Sequence, residues 1–126
     1  MGLRFLKIAV VYLFLGAVLG LGMGISQQFA LAPVHAHLLL LGWASLALAG
    51  IVYHLYPAAA TTRLARTHFW LHNVGLPVFM VGLTLVLTGS TSGAAMPLTA
   101  GGATIALVGL ALFALNVLMN AKAARA

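Results

Sequence analysis

The sequence contains no aspartate and no glutamate. Only six of its 126 residues are lysine or arginine, while 63% are hydrophobic. A water-soluble domain of this length needs a charged surface, which this chain cannot supply. We therefore expect a single-domain integral membrane protein. The net charge of +6 would suggest nucleic-acid binding in a soluble protein, but here it indicates membrane topology, so no nucleic-acid partner is expected.

Cysteine is also absent. This excludes a disulfide framework and a thiolate metal site. Without carboxylates, the chain also has no acidic proton path of its own. The candidate metal ligands are the histidines, of which there are five.

Four apolar stretches are long enough to cross a bilayer, at about 5–25, 34–56, 69–88 and 98–119. A spanning helix needs roughly 20 residues. Uninterrupted runs of this length favour helices over barrel strands. The first run could instead be a signal peptide, although its apolar core is unusually long for one. The sequence thus predicts an all-α protein with four transmembrane helices.

The basic residues predict how this bundle is oriented. With four crossings, all six fall on one side of the membrane: Arg4, Lys7, Arg63, Arg66, Lys122 and Arg125. The positive-inside rule makes that side cytoplasmic. We therefore expect a multi-pass protein of the inner (plasma) membrane, surrounded by lipid, with both termini inside.

Glycines form two stripes with helical spacing. Gly16, Gly20 and Gly24 are four residues apart in the first run, and the third run carries Gly75, Gly82 and Gly89 at intervals of seven. Small residues at such spacing let a second helix approach closely. The stripes are compatible with packing inside one bundle or between subunits.

The five histidines fall into two groups at opposite ends of the predicted bundle. His35 and His37 lie at the start of the second helix, away from the basic residues. Residues two apart on a helix are separated by about 200°, so these imidazoles should face opposite flanks and serve two different sites. Two imidazoles in one turn without an acid partner point to iron or copper.

His54, His68 and His72 belong to the other end. His68 and His72 are four residues apart and share a helix face. Such a pair can bind a metal such as zinc if further ligands are available, and His54 is a weaker candidate. Alternatively, neutral imidazoles near a helix end simply hydrogen-bond to backbone carbonyls.

The stretch from residue 33 to about residue 90 contains a composite motif. It has a His-x-His pair, a Gly-Trp, a Tyr-His and a proline, and then a helix opening His-Phe-Trp-Leu, at positions His35, His37, Gly42, Trp43, Tyr53, His54, Pro57, His68, Phe69, Trp70 and Leu71. In this combination the stretch resembles the last helices of the catalytic subunit of heme-copper oxidases, especially the C-family cbb-type enzymes and their nitric oxide reductase relatives.

The resemblance implies roles for the first two histidines. By analogy, His35 would ligate a high-spin heme iron and His37 a low-spin heme iron. The departures are also informative, because the family subunit has twelve helices and this chain four. The family's three-histidine copper site with its tyrosine, and the second axial ligand of the low-spin heme, have no counterpart here. Oxygen reduction coupled to proton pumping is therefore not expected.

A homotrimer would reconcile four helices with twelve, because the family fold resembles three four-helix arcs around a pseudo-threefold axis. A heme b between neighbouring copies would then be held by His37 of one copy and His35 of the next. Candidates for contacts with its propionates or ring are Gln27, Gln28, Trp43 and Ser45.

Three functions remain open on this basis. The first is a heme protein for electron transfer, with a respiratory electron carrier as partner, or for binding or sensing a gas such as NO or O2. The second is a heme-free copper- or zinc-binding protein, with His35 or His72 of three copies around the trimer axis as ligands. The third is an oxidase assembly subunit without a cofactor, whose histidines only bridge helices.

Overall fold

The computed structural model describes residues 1–123, within which all regular structure is helical. Helices α1 and α2 are followed by a π-helical segment and then by helices α3 to α6. Their bounds are Gly2–Ser26 for α1, Ala32–His37 for α2, Leu38–Ala44 for the π segment, Ser45–Leu55 for α3, Pro57–Ala60 for α4, Arg63–Leu87 for α5 and Ala95–Asn120 for α6. Helix α2, the π segment and α3 run on without a break, and together they form the second span.

The prediction of an all-helical architecture with four helices long and apolar enough to span a membrane is confirmed for residues 1–123. The spans are α1, the second span, α5 and α6, each of 24 to 26 residues and apolar enough to cross a bilayer. Large apolar side chains on the outside of the bundle are exposed, including Leu118 at 82% and Ile25 at 76%. In a bilayer these side chains would contact lipid.

The third span begins earlier than its apolar run suggested. Helix α5 starts at Arg63, six residues before the predicted start at 69. Thr62 caps it, because its side-chain oxygen accepts a hydrogen bond from the Ala65 backbone amide at 3.0 Å. An N-cap of this kind satisfies one of the free amides of a first turn, so the polar first turn of α5 is stable as helix.

One end of the bundle carries the basic residues that the structure describes. The spans alternate in direction, so the start of α1, the connection between α3 and α5 and the end of α6 lie together. We call this the basic end; its charges are Arg4, Lys7, Arg63, Arg66 and Lys122. Arg125 lies outside the described residues.

Helices α5 and α6 pack with their backbones in contact. A Cβ atom added at Gly102 would overlap the backbone of Phe79, and one added at Gly82 would overlap that of Thr99. A Cβ at Gly75 would lie 2.5 Å from the Ala106 nitrogen. Glycines seven apart on both helices thus form one seam inside the chain.

Helix α1 uses its glycines to pack against the second span. Gly16 accommodates Leu39, and Gly20 accommodates the imidazole of His35. Gly24 has no neighbour within 4 Å. Gly89 is also outside the seam, since it adopts a left-handed conformation with φ of +74° just after α5. Most of both predicted stripes is therefore explained by packing within one chain.

The core divides into two clusters along the bundle axis. The cluster nearer the basic end contains Phe5 and Ala9 of α1, Leu46 and Tyr53 of α3, and Ala65 of α5. Val34, Leu76 and Met80 form the second cluster, nearer the other end. His68 and His72 lie beside the first cluster, and His35 and His37 lie beside the second.

Candidate functional site

His35 and His37 lie in α2, the short first part of the second span. Pro33 occupies the first turn of this helix, where its missing N–H leaves no partner unsatisfied. The π segment begins immediately after His37. Both histidines lie at the end of the bundle opposite the basic end, and both are half-buried.

His35 faces α1. Its Nδ1–H donates a hydrogen bond to the carbonyl oxygen of Gly16 at 2.8 Å. Gly20 makes room for the ring, because a Cβ there would lie 2.7 Å from Cε1 of His35. The imidazole is therefore held against a cradle that any side chain at position 20 would fill.

His37 faces α5 instead. Its Nδ1–H donates to the carbonyl oxygen of Pro33 in its own helix, at 2.6 Å. Its ring meets the ring of Phe79 edge to face, with centroids 5.0 Å apart. The two imidazoles thus contact different neighbouring spans, which is the arrangement expected from their two-residue spacing.

The two histidines share one tautomer. A carbonyl oxygen can only accept, so Nδ1 of each ring carries the proton. In the neutral imidazole the lone pair is then on Nε2, for which neither ring shows a hydrogen-bond partner among the described residues. Histidines that ligate a metal almost always donate their other ring N–H in this way, so the donor set of His35 and His37 fits axial ligation of iron.

The four suggested contacts for propionates or ring are less specific. Gln27 donates to the Gly24 carbonyl at 2.6 Å, and the Ser45 hydroxyl donates to the Leu40 carbonyl at 2.7 Å. Gln28 is exposed, and its backbone amide donates to the Ser26 hydroxyl at 3.3 Å. Trp43 packs against the core near the basic end, so Gln27 and Gln28 stay nearest to α2 along the chain.

A second polar constellation is buried between α3, α5 and α6. His68 and His72 are fully buried on one face of α5, with Nε2 of His68 3.3 Å from Nδ1 of His72. The hydroxyl of Tyr53 lies 3.1 Å from Nδ1 of His68. Nε2 of His72 lies 2.9 Å from the carbonyl oxygen of Leu41 in the π segment.

The Leu41 carbonyl determines the direction of each hydrogen bond in this buried network. The Leu41 carbonyl can only accept, so His72 donates from Nε2 and accepts at Nδ1. His68 then donates from Nε2 to His72 and accepts at Nδ1 from the Tyr53 hydroxyl. Both nitrogens of both imidazoles are therefore occupied while the rings are neutral.

Asn116 of α6 lies at the other end of this buried hydrogen-bonded network. Its amide donates to the Ala59 carbonyl at 2.9 Å and lies 3.5 Å from the Tyr53 hydroxyl. Its Oδ1 accepts from Asn120 at 2.9 Å and lies 3.0 Å from the Thr62 hydroxyl oxygen. Buried amides at membrane depth need such partners, and here they tie α6 to α3 and to the connection before α5.

The π segment explains why a carbonyl of the second span is available to His72. The Ser45 amide bonds to the Leu40 carbonyl, five residues back, whereas α3 then resumes the four-residue spacing. A ladder that returns from five-residue to four-residue spacing passes over one carbonyl. That carbonyl is the next one, at Leu41, and His72 supplies its missing donor.

His54 is separate from the other two histidines of its predicted group. It is exposed beside Gly2 of α1, at a groove of about 450 Å³ lined mainly by Leu3, Leu6, Gly50 and Ile51. Within residues 1–123 no group of three or more metal-binding side chains could hold one ion. The structure therefore brings His68 and His72 together as a buried hydrogen-bonded pair, whereas His54 lies on the outside of the bundle.

The sequence did not single out the Leu41 carbonyl or Asn116. Asn116 is polar within a long apolar run, and that signal could have marked it. The Leu41 carbonyl has no such signal, because a leucine run looks the same in an α-helix and in a π-helix.

In the part of the chain that the structure describes, all regular structure is helical and four helices are long and apolar enough to span a membrane. Two imidazoles lie at one end of the bundle, and a buried hydrogen-bonded network lies nearer the basic end. No protein-family model, curated protein or solved structure matches this chain. Its function must therefore be argued from the residues of the site.

Proposed function

We propose that this chain is a heme b-binding integral membrane protein in which His35 and His37 supply axial ligands. The observation that carries the proposal is their shared geometry. Each donates Nδ1–H to a backbone carbonyl and keeps its Nε2 lone pair without a partner among the described residues. A metal ligand needs this arrangement, with one ring nitrogen donating to a backbone carbonyl and the lone pair of the other free, and iron ligation would use it on both rings.

The different orientations of the two imidazoles favour ligands shared between copies of the chain. His35 contacts α1 and His37 contacts α5, so one chain offers one imidazole to each flank. In a homotrimer, His37 of one copy and His35 of the next would complete each site. The resemblance to the twelve-helix oxidase subunit supports three copies, because three sets of four spans restore that number.

In this proposal the surrounding residues hold and orient the two imidazoles. Gly16 and Pro33 fix the tautomers through their carbonyls, while Gly20 and Phe79 fix the ring positions. A bis-histidine heme b supplies a one-electron couple without an open coordination position. Electron exchange with a respiratory carrier is the function that fits this ligand set; binding or sensing NO or O2 would require one imidazole to dissociate.

For orientation, we propose that the basic end faces the cytoplasm. Every lysine and arginine among the described residues lies at this end, and the positive-inside rule associates such residues with the cytoplasmic side. The heme ligands would then lie toward the outer face of the inner membrane.

His68 and His72 are assigned a structural role in this proposal. Both nitrogens of each ring are engaged, and the bonds connect α5 to Tyr53 of α3 and to the π segment. A heme-free copper or zinc site could use His72 or His35 of three copies. A site at His72 would require breaking these hydrogen bonds. Three copies of His35 are the remaining way to build a heme-free metal site.

The test is an absorption spectrum of the purified protein with a pyridine hemochrome assay and metal analysis. We expect a sharp Soret band, the hemochrome of heme b and one iron per chain. A colourless protein containing copper or zinc would replace this proposal with the heme-free alternative. A colourless, metal-free protein that co-purifies with an oxidase would replace it with an assembly subunit.

A further inference from the structure

The buried histidine chain ends at the one place where the second span departs from α-helical geometry. The hydrogen bond from His72 to the Leu41 carbonyl joins α5 to the π segment. On the other side of the π segment, His37 is its immediate neighbour. The contact that pairs the extra carbonyl is therefore made just beyond the two candidate heme ligands.

We propose that His72 is a positioning residue: by pairing the Leu41 carbonyl it keeps the second span π-helical, and the π segment sets the direction in which His35 and His37 point. This inference rests on the proposed function only for its last consequence, the effect on heme. The link between His72 and the helix conformation stands independently.

The physical reason is the cost of an unpaired carbonyl in hydrocarbon. Water is absent there, so each free backbone group is expensive. With a donor at His72 the π geometry loses no hydrogen bond. Without that donor, the second span can pair the Leu41 carbonyl by returning to four-residue spacing. The Ser45 hydroxyl, four residues after Leu41, is already engaged, because it donates to the Leu40 carbonyl at 2.7 Å.

That return would rotate one half of the second span relative to the other. One residue corresponds to about 100° of rotation and 1.5 Å of rise. Helix α3 has several buried residues, including the fully buried Leu46 and Tyr53, whereas α2 has only Val34 and the half-buried contact of His35 with Gly16. The rotation should therefore move α2 and both candidate ligands.

A disulfide across α1 and the π segment reports this rotation without any cofactor. A Cβ at Gly16 would lie 3.6 Å from the Cβ of Leu38, within the range that a disulfide spans. It would also lie 2.6 Å from Cδ2 of Leu39, so every background with this pair carries Leu39→Ala. The natural chain has no cysteine, so Gly16→Cys with Leu38→Cys is the only reactive pair. Leu71→Cys with Gly109→Cys is the control pair across α5 and α6, where the corresponding distance is 3.2 Å and a small separation of the helices brings it into that range.

The experiment compares crosslinking of both pairs under mild oxidation in four backgrounds. We expect the 16–38 pair to crosslink with native His72, to fall to background in His72→Leu, and to persist in His72→Gln, whose amide can donate to the Leu41 carbonyl. It should also return when Leu40 is deleted from the His72→Leu chain, because the shortened span has no extra carbonyl. The 71–109 pair should crosslink in every background.

The inference is overturned if the 16–38 pair crosslinks equally well in His72→Leu. It is also overturned if the loss is rescued neither by glutamine nor by the deletion, including the case where His72→Leu loses both pairs. The heme spectrum separates the two proposals. If the natural chain carries no heme but the crosslinks behave as described, the heme proposal fails and the role of His72 stands. If instead the natural chain carries heme but the crosslinks do not behave as described, only the proposed role of His72 fails.

Discussion

Replacing either His35 or His37 with leucine should abolish the spectrum of six-coordinate, low-spin heme. Each proposed site uses one imidazole of each kind, so a single substitution removes an axial ligand from every site in the trimer. We expect the low-spin signal of either variant to fall below about a tenth of that of the natural protein. Absorption spectra of oxidised and reduced protein at matched chain concentration give this ratio.

His54→Leu is the matched control for this substitution. His54 also lies on the second span, but it is exposed at the basic end, away from α2. Its replacement should leave the spectrum unchanged. Native spectra in both His35→Leu and His37→Leu would contradict the ligand assignment. If oligomer mass in detergent is preserved in these variants, loss of the signal cannot be attributed to misfolding.

The second large effect is expected at the α5–α6 seam. Gly102→Ala places a methyl group against the backbone of Phe79, and backbone cannot move aside as a flexible side chain can. The two helices must separate or shift, so the free energy of unfolding should fall by about 2–3 kcal/mol. Unfolding in mixed detergent and SDS micelles, followed by circular dichroism, measures this change.

The neighbouring glycine provides a control on the same helix. Gly101 faces outward, and a Cβ atom added there would have no neighbour within 4 Å. Gly101→Ala should be neutral or stabilise by up to about 1 kcal/mol, because alanine is the better helix former. Equal destabilisation by the two substitutions would mean that α5 and α6 do not pack through this seam.

Apolar run length was sufficient to predict the four spans, because a bilayer imposes length and composition directly. The early start of α5 was missed for the same reason. Its first turn contains Arg63 and Arg66 and fails a hydropathy criterion, although Thr62 is a typical N-cap residue. Local capping chemistry, rather than hydropathy, determines where this helix begins.

The candidate site was predictable only where helical spacing decides it. The two-residue interval of His35 and His37 predicts different flanks, and the four-residue interval of His68 and His72 predicts one shared face. Their partners were not predictable. The Gly16 carbonyl, the Tyr53 hydroxyl and the Leu41 carbonyl reach these histidines through packing between spans, which no single helix encodes.

If each iron is shared between neighbouring copies of the chain, mixing two variants that each lack one ligand should restore heme binding. His35→Leu and His37→Leu chains are co-expressed in equal amounts, and the heme bound per chain is measured. A site completed by His37 of one copy and His35 of the next is intact at about one quarter of the interfaces of randomly mixed trimers. We therefore expect about a quarter of the natural low-spin signal from the mixture, whereas each variant alone gives less than about a tenth of it. No recovery in verified mixed trimers would contradict it.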